Sequence, residues 1–181
     1  AEQALRNTDD RIASGKSVNP AFFLAVLLWC PMHEYKARFI DRGQHEMEAL
    51  LSASREAITR QQAFTSIPKR FSLMIRDIWH MQSQLQHPTR KRALRTLSNK
   101  RFRAGYDFLL LRQSVGETEL KSLCDWWTEI QTKSPADQEA MCEQLGRGQQ
   151  QRQRRKKRRK PAASLKHSPE KGDSVKVDSI K

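Results

Sequence analysis

The chain has 181 residues, with 34 lysines and arginines against 20 aspartates and glutamates, for a formal net charge of +14. Its longest apolar run, Ala21 to Cys30, is ten residues, too short for a transmembrane helix. The three cysteines (Cys30, Cys124 and Cys142) are odd in number, far apart and without a CxxC, which argues against a disulfide framework or a zinc site and for reduced thiols in a cytosolic protein.

The charge is unevenly placed. The first 146 residues carry 21 bases and 17 acids, an ordinary globular balance; Arg147 to Lys181 carries 13 bases and 3 acids. The front is long enough to bury one core. The end has prolines, serines and lysines but no aromatics, and should not fold alone. The expected organisation is therefore a helical domain over 1–145 and a disordered arginine- and lysine-rich tail over 146–181. The N-terminus, AEQALRNTDD, has no initiator Met and no signal-peptide layout, which points to a fragment or a processed chain.

Taken in chain order, the pattern is helical almost throughout and lacks strand alternation. Asn19-Pro20 opens a helix, Asn as cap and Pro at the first helical position. Ala21 to Cys30 is apolar all round, which predicts a central helix. Pro31 should end or kink it before a segment Met32 to Ile40. A helix from about Gln44 to Ala63 has the stripe Met47, Leu50, Leu51 and Ile58, with Ser54 in the turn between. Ser66-Ile67-Pro68 starts a helix to about Leu85 with Phe71, Met74, Ile75, Ile78 and Leu85 on one side. His87-Pro88-Thr89 breaks the chain. Helices follow at Arg90 to Leu97 and Lys100 to Gln113, with Gly105 unusual inside the latter. Glu117 to Gln131 aligns Leu120, Leu123, Cys124, Trp127 and Ile130, and Ser134-Pro135 begins a last helix ending near Leu145. The expected fold class is all-α, a single domain of about seven to nine helices.

Two basic features stand out. Arg147 to Lys160 reads RGQQQRQRRKKRRK, nine bases and no acid. Arg152, Arg154, Arg155, Lys156, Lys157, Arg158, Arg159 and Lys160 cannot enter a core without losing hydration, so they lie in solvent or on a polyanion. Approaching phosphates relieve their mutual repulsion and release condensed counterions. The second feature, Lys69 to Arg103, has ten bases and one acid, Asp77. At about 100° per residue, Lys69, Arg76 and His80 share a helix face opposite Phe71 and Ile78. Lys91 and Arg95 are one turn apart. With Arg70, Arg101 and Arg103 these residues form a candidate phosphate-contacting surface; a solvated face with distant acidic partners is the alternative. Trp79, Trp126, Phe102 and Tyr106 are the candidates for stacking on unpaired bases, and Trp127, mid-stripe, is core.

Catalytic signals are missing. There is no GxGxxG, P-loop, GxSxG or HExxH, and the histidines (His33, His45, His80, His87 and His167) form no cluster with cysteines. Asp9-Asp10 are adjacent rather than spaced as the DxD pair that divalent-metal chemistry uses.

Six stretches in order carry a resemblance: ALRNTDDRI (Ala4 to Ile12), NPAFFLAVLLW (Asn19 to Trp29), IPKRF with RDIW (Ile67 to Trp79), RFRAGYDFLLLR (Arg101 to Arg112), WWTEIQ (Trp126 to Gln131) and PADQEAM (Pro135 to Met141). With the basic end that follows, they resemble the C-terminal part of bacterial poly(A) polymerases, class II nucleotidyltransferases related to CCA-adding enzymes. The resemblance covers about residues 4–160 and leaves the role of 162–181 open. It implies a bacterial, cytoplasmic enzyme that adds AMP from ATP to RNA 3′ ends. Its Mg²⁺-binding carboxylates would lie in a head upstream of this chain, so no catalytic or metal residue transfers to any position here. The implied partner is single-stranded RNA held with little sequence preference, and RNA-decay proteins are further candidates. A stand-alone nucleic-acid-binding module and a protein-docking tail are the competing readings.

Overall fold

The computed structural model of the chain describes residues 19–145, together with Gln3, Arg6, Ala13 and Gly15. The tail cations from Arg152 to Lys160 lie outside the described residues. Helices run in the order α1 (Pro20–Leu27), α2 (Trp29–Asp41), α3 (Glu46–Gln62), α4 (Lys69–Gln86), α5 (Arg90–Leu97) and α6 (Phe102–Ser114). A 3₁₀ turn (Thr118–Leu120), α7 (Lys121–Gln131) and a helix over 135–145, here α8, complete the order. There is no strand among the described residues, and the fold is all-α.

Local signals set most boundaries. The Asn19 side chain accepts a hydrogen bond from the Ala21 amide at 3.0 Å, with Pro20 opening α1. Ser134 caps α8 in the same way, its Oγ accepting from the Asp137 amide at 3.3 Å. Gly43, at φ +87°, closes α2 with a Schellman arrangement: the Gly43 amide donates to the Ile40 carbonyl and the Gln44 amide to Phe39.

Two expectations shift. The break expected at Pro31 falls at Leu28, and Pro31 sits in the first turn of α2. A proline clashes with the carbonyl four residues back, here Leu27, so the preceding helix stops there; in a first turn its missing N–H costs nothing. The stripe assigned to α3 holds at Leu50, Ser54 and Ile58, which are buried, but not at Met47 and Leu51, which are 36% and 48% exposed; Ala49, Ala53 and Ala57 complete the buried face. Alanines at 49, 53 and 57 move the buried face off the axis that the large residues suggest, and let α2 and α3 lie close along their length. α1 likewise buries its small residues, Ala21 and Ala25, and leaves Leu27 exposed, so it is a core helix on one side only.

Two apolar clusters share α4 and α6. One joins α1, α2, α3, α4 and α6 around Met32, Ile75, Ile78, Trp79 and Phe108. The other joins α4 to α8 around Leu85, Leu109, Trp127, Ile130 and Cys142. In each a buried tryptophan satisfies a carbonyl near a helix end: Trp79 Nε1 donates to Ala25 O and Trp127 Nε1 to Leu85 O, both at 3.0 Å. Gly105 explains the close α4–α6 contact. A Cβ there would stand 2.2 Å from Met81 Cγ and 2.8 Å from Met81 Cβ.

Candidate nucleic-acid interface

The bases at 69–103 fall on α4, α5, α6 and the turns between them. Lys69 and Arg70 form the first turn of α4, with Pro68 ahead of them supplying no side-chain cap. Arg90, Lys91 and Arg92 open α5, and Arg101 and Arg103 flank the start of α6. None of these three helices has an acid in its first turn. That placement works against the helix dipole, whose N-terminal end favours anions. In α3 the usual order holds, with Glu46 and Glu48 in the first turn. A bound polyanion would relieve the unfavourable arrangement in α4, α5 and α6 together.

Carboxylates neutralise three of the ten bases. Arg101 pairs with Asp77 at 3.3 Å, Arg103 with Asp107 at 3.1 Å on the same helix, and Arg90 with Glu143 of α8. Lys69, Arg70, Arg76, Lys91, Arg92, Arg95 and Lys100 make no ion pair among the described residues. Arg70 rests over the Phe71 ring at 4.9 Å, and Arg76 Nε donates to the Ser72 carbonyl at 3.4 Å. All seven are exposed except Arg76, which is half-buried. The structure therefore keeps Lys69, Arg70, Arg76, Lys91 and Arg95 available, and partly commits Arg101 and Arg103.

Three of the four stacking candidates are excluded by burial. Trp79 is 1% exposed; Phe102 and Tyr106 stack on one another in the second cluster, with the Tyr106 hydroxyl on Thr128 Oγ1 at 2.6 Å. Each lies on a buried helix face, where its polar atom, if it has one, finds a protein partner. Trp126 is half-buried, edge-on to Trp127 with ring centroids 4.8 Å apart. The aromatic that sequence reasoning overlooked is Phe64, 86% exposed in the connection from α3 to α4, five residues before Lys69. Its signal was its setting, AFTSIP, where turn-forming residues interrupt the helical stripe.

A shallow, open groove of about 420 Å³ lies between the C-terminal half of α4 (Asp77, His80, Met81 and Gln84) and the α5–α6 turn (Ser98 to Arg101). It continues the α4 face that begins with Lys69, Leu73 and Arg76, since positions 69, 73, 76, 80 and 84 follow one side of a 3.6-residue helix.

A second polar feature is internal. Arg112 is 7% exposed, and each nitrogen of its guanidinium makes a hydrogen bond. It donates to both carboxylate oxygens of Glu117 at 2.9 and 2.5 Å, and to Gln82 Oε1 at 3.2 Å, and it lies 4.8 Å from the Trp29 ring centroid. Gln82 Nε2 in turn donates to the Gly105 carbonyl at 2.8 Å. This network ties α2, α4, α6 and the 3₁₀ turn together. Next to it, desolvation against Trp29, then the charges of Lys36 and Arg112, hold the His33 imidazole below its ordinary range. Burial pushes the thiols of Cys124 and Cys142 up, so they are inert core residues, whereas Cys30 is exposed. No three His, Cys, Asp or Glu side chains converge among the described residues. No helix among them is long and apolar enough to cross a membrane.

Comparison with known proteins places this arrangement. The family model described as "Polymerase A arginine-rich C-terminus" matches residues 42–161. Poly(A) polymerase I of Escherichia coli O6:H1 strain CFT073 is 37% identical over 146 residues, covering 80% of this chain and 31% of that protein. The Salmonella typhi protein of the same name is 35% identical over 145 residues, covering 79% and 31%. That of Haemophilus influenzae strain Rd is 32% identical over 146 residues, covering 80% and 32%. The chain thus spans about a third of the length of the curated relatives it matches. The match begins at the end of α2 and runs through every basic helix into the tail cations, and on that ground the chain belongs to the polymerase A arginine-rich C-terminus family.

Proposed function

We propose that this chain is the RNA-holding C-terminal portion of a polynucleotide adenylyltransferase, an enzyme that extends RNA 3′ ends with AMP from ATP in the bacterial cytoplasm. The names of the relatives support the reaction, and the basic helices support the role. ATP and Mg²⁺ belong to chemistry outside these residues. The chain's own task is to keep the strand from leaving. An enzyme that extends many different RNAs needs grip on backbone rather than on base edges. Arginine suits that grip, because its planar fork gives phosphate two parallel hydrogen bonds.

The observation that carries this reading is the set of seven unpaired cations at 69–103, several of them at helix starts where an anion is the favoured neighbour. Phe64, five residues before Lys69 in the chain, adds an exposed ring for stacking. The tail cations, Arg152 to Lys160, supply a larger capture radius and electrostatic steering. RNA-decay proteins with acidic surfaces are candidate second partners of the same tail, and nuclease-resistant association with such a protein would mark them.

The test is a salt titration of the 181-residue chain on single-stranded RNA. With roughly six phosphates engaged at about 0.7 per phosphate, the log–log slope of affinity against salt should be near −4. An affinity indifferent to salt refutes the reading. Given ATP, Mg²⁺ and an RNA primer, the same chain should give no extension.

A further inference from the structure

The groove between α4 and the α5–α6 turn differs from the rest of the basic surface in carrying amides as well as cations. Gln84, half-buried, has no hydrogen-bond partner for its amide among the described residues. Asn99 uses only its oxygen, which accepts from the Arg101 amide at 2.8 Å, and its Nδ2 donors remain free. Met81 lines the groove from within, buried at 2% exposure and packed on Gly105. Lys100 stands unpaired at the rim. Arg101 is there too, and its contact with Asp77 cancels the carboxylate that would otherwise repel an anion.

We infer that this groove seats one nucleotide of a single-stranded RNA, an edge of its base toward Gln84 and Asn99, and its phosphate toward Lys100 and Arg101. The inference rests on the RNA-holding reading above and adds a base-contacting subsite to it. The volume, about 420 Å³, falls within the range of small-ligand pockets. A primary amide presents a donor and an acceptor side by side, the pattern that single-stranded bases display on their open edges. A phosphate-only site needs no such amide. The strand would reach the groove along α4, past Arg76 and Lys69, the latter about 16 Å from His80 at 1.5 Å per residue.

The experiment compares a labelled ten-residue oligoadenylate with inorganic polyphosphate of equal charge, both titrated onto the full 181-residue chain by fluorescence anisotropy and competition. The wild-type chain should prefer the oligonucleotide. The double variant Gln84→Met with Asn99→Ser keeps side-chain length at 84 and a capping oxygen at 99. It should lose roughly fivefold in oligoadenylate affinity, the scale of one or two neutral hydrogen bonds, with polyphosphate binding and the salt slope unchanged. Lys100→Ala should instead flatten the slope by about 0.7 on both polymers. Thermal melts of each variant matching the wild type exclude a folding cause. If the double variant binds oligoadenylate as tightly as the wild type, the groove contacts no base and the inference falls while the RNA-holding reading stands. If the wild-type chain fails to bind oligoadenylate at all, both fall.

Discussion

Arg112 carries the residue scale. It is a base inside an apolar run, FLLLR, and charge alone would group it with the cations of the surface. Its surroundings reverse that assignment. A guanidinium withdrawn from water needs acceptors nearby, and Glu117 and Gln82 supply three, with the Trp29 face beside them. Arg112→Ala should therefore destabilise the fold by about 3 kcal/mol, because it leaves Glu117 and Gln82 without their partner. Arg112→Lys should recover little of this, since an ammonium cannot reproduce the two-pronged contact. Urea unfolding followed by circular dichroism reads both, and a loss below about 1 kcal/mol for Arg112→Ala would show the network to be incidental. The sequence marked Lys69, Arg70, Lys91 and Arg95 correctly as exposed bases because each lies off an apolar stripe. It could not show that Arg101 and Arg103 are partly neutralised. Asp77 is 24 residues from Arg101, and a contact at that separation exists only once α4 and α6 are side by side.

At the scale of the element, the helices were legible because capping and breaking chemistry is local. Asn19-Pro20, Ser134-Pro135 and the His87-Pro88-Thr89 break all act where the sequence placed them. Faces were less legible. Counting large apolar residues assigned Met47 and Leu51 to the core, but alanines decide which side of α3 meets its neighbours. The stacking candidates failed for a related reason: an aromatic on a basic helix looks available until the opposite helix covers it, as α1 covers Trp79. Gly105 puts the point in energetic terms. Alanine is favoured over glycine within a helix by about 1 kcal/mol, so propensity alone would make Gly105→Ala stabilising. Contact with Met81 Cβ, which no rotamer change can move, reverses the sign. Gly105→Ala should lower stability by about 1–3 kcal/mol, the cost typical of overpacking, and Met81→Ala in the same chain should return part of it. Unfolding free energies of the two single variants and the double variant give the coupling directly. Additive losses would mean the two helices do not meet there.

For the whole molecule, the proposed RNA-holding role assigns charge both to the basic helices and to the tail, and the two contributions are separable by charge count. Deleting Arg152 to Lys160 removes eight cations and should take away more than half of the salt slope on single-stranded RNA. The triple change Lys69→Ala, Arg70→Ala and Arg76→Ala should flatten it by at most about 2, or roughly 0.7 for each phosphate no longer engaged. A tail deletion that left the slope intact would place the grip on the helices alone. Composition alone suggests this division, since a polycation should not fold by itself and a mildly basic front can; the tail lies outside the described residues. What the sequence determined by itself was whatever depends on neighbours a few residues away: helix starts and stops, the all-α class, the sign and uneven placement of charge, and the ordered stretches shared with a known family. Only the tertiary structure decided which cations keep a carboxylate, which aromatics stay open, where Arg112 points, and that the α5–α6 turn meets α4 to make a groove. Those outcomes join residues tens of positions apart, and distance along a chain carries no information about them until packing brings the helices together.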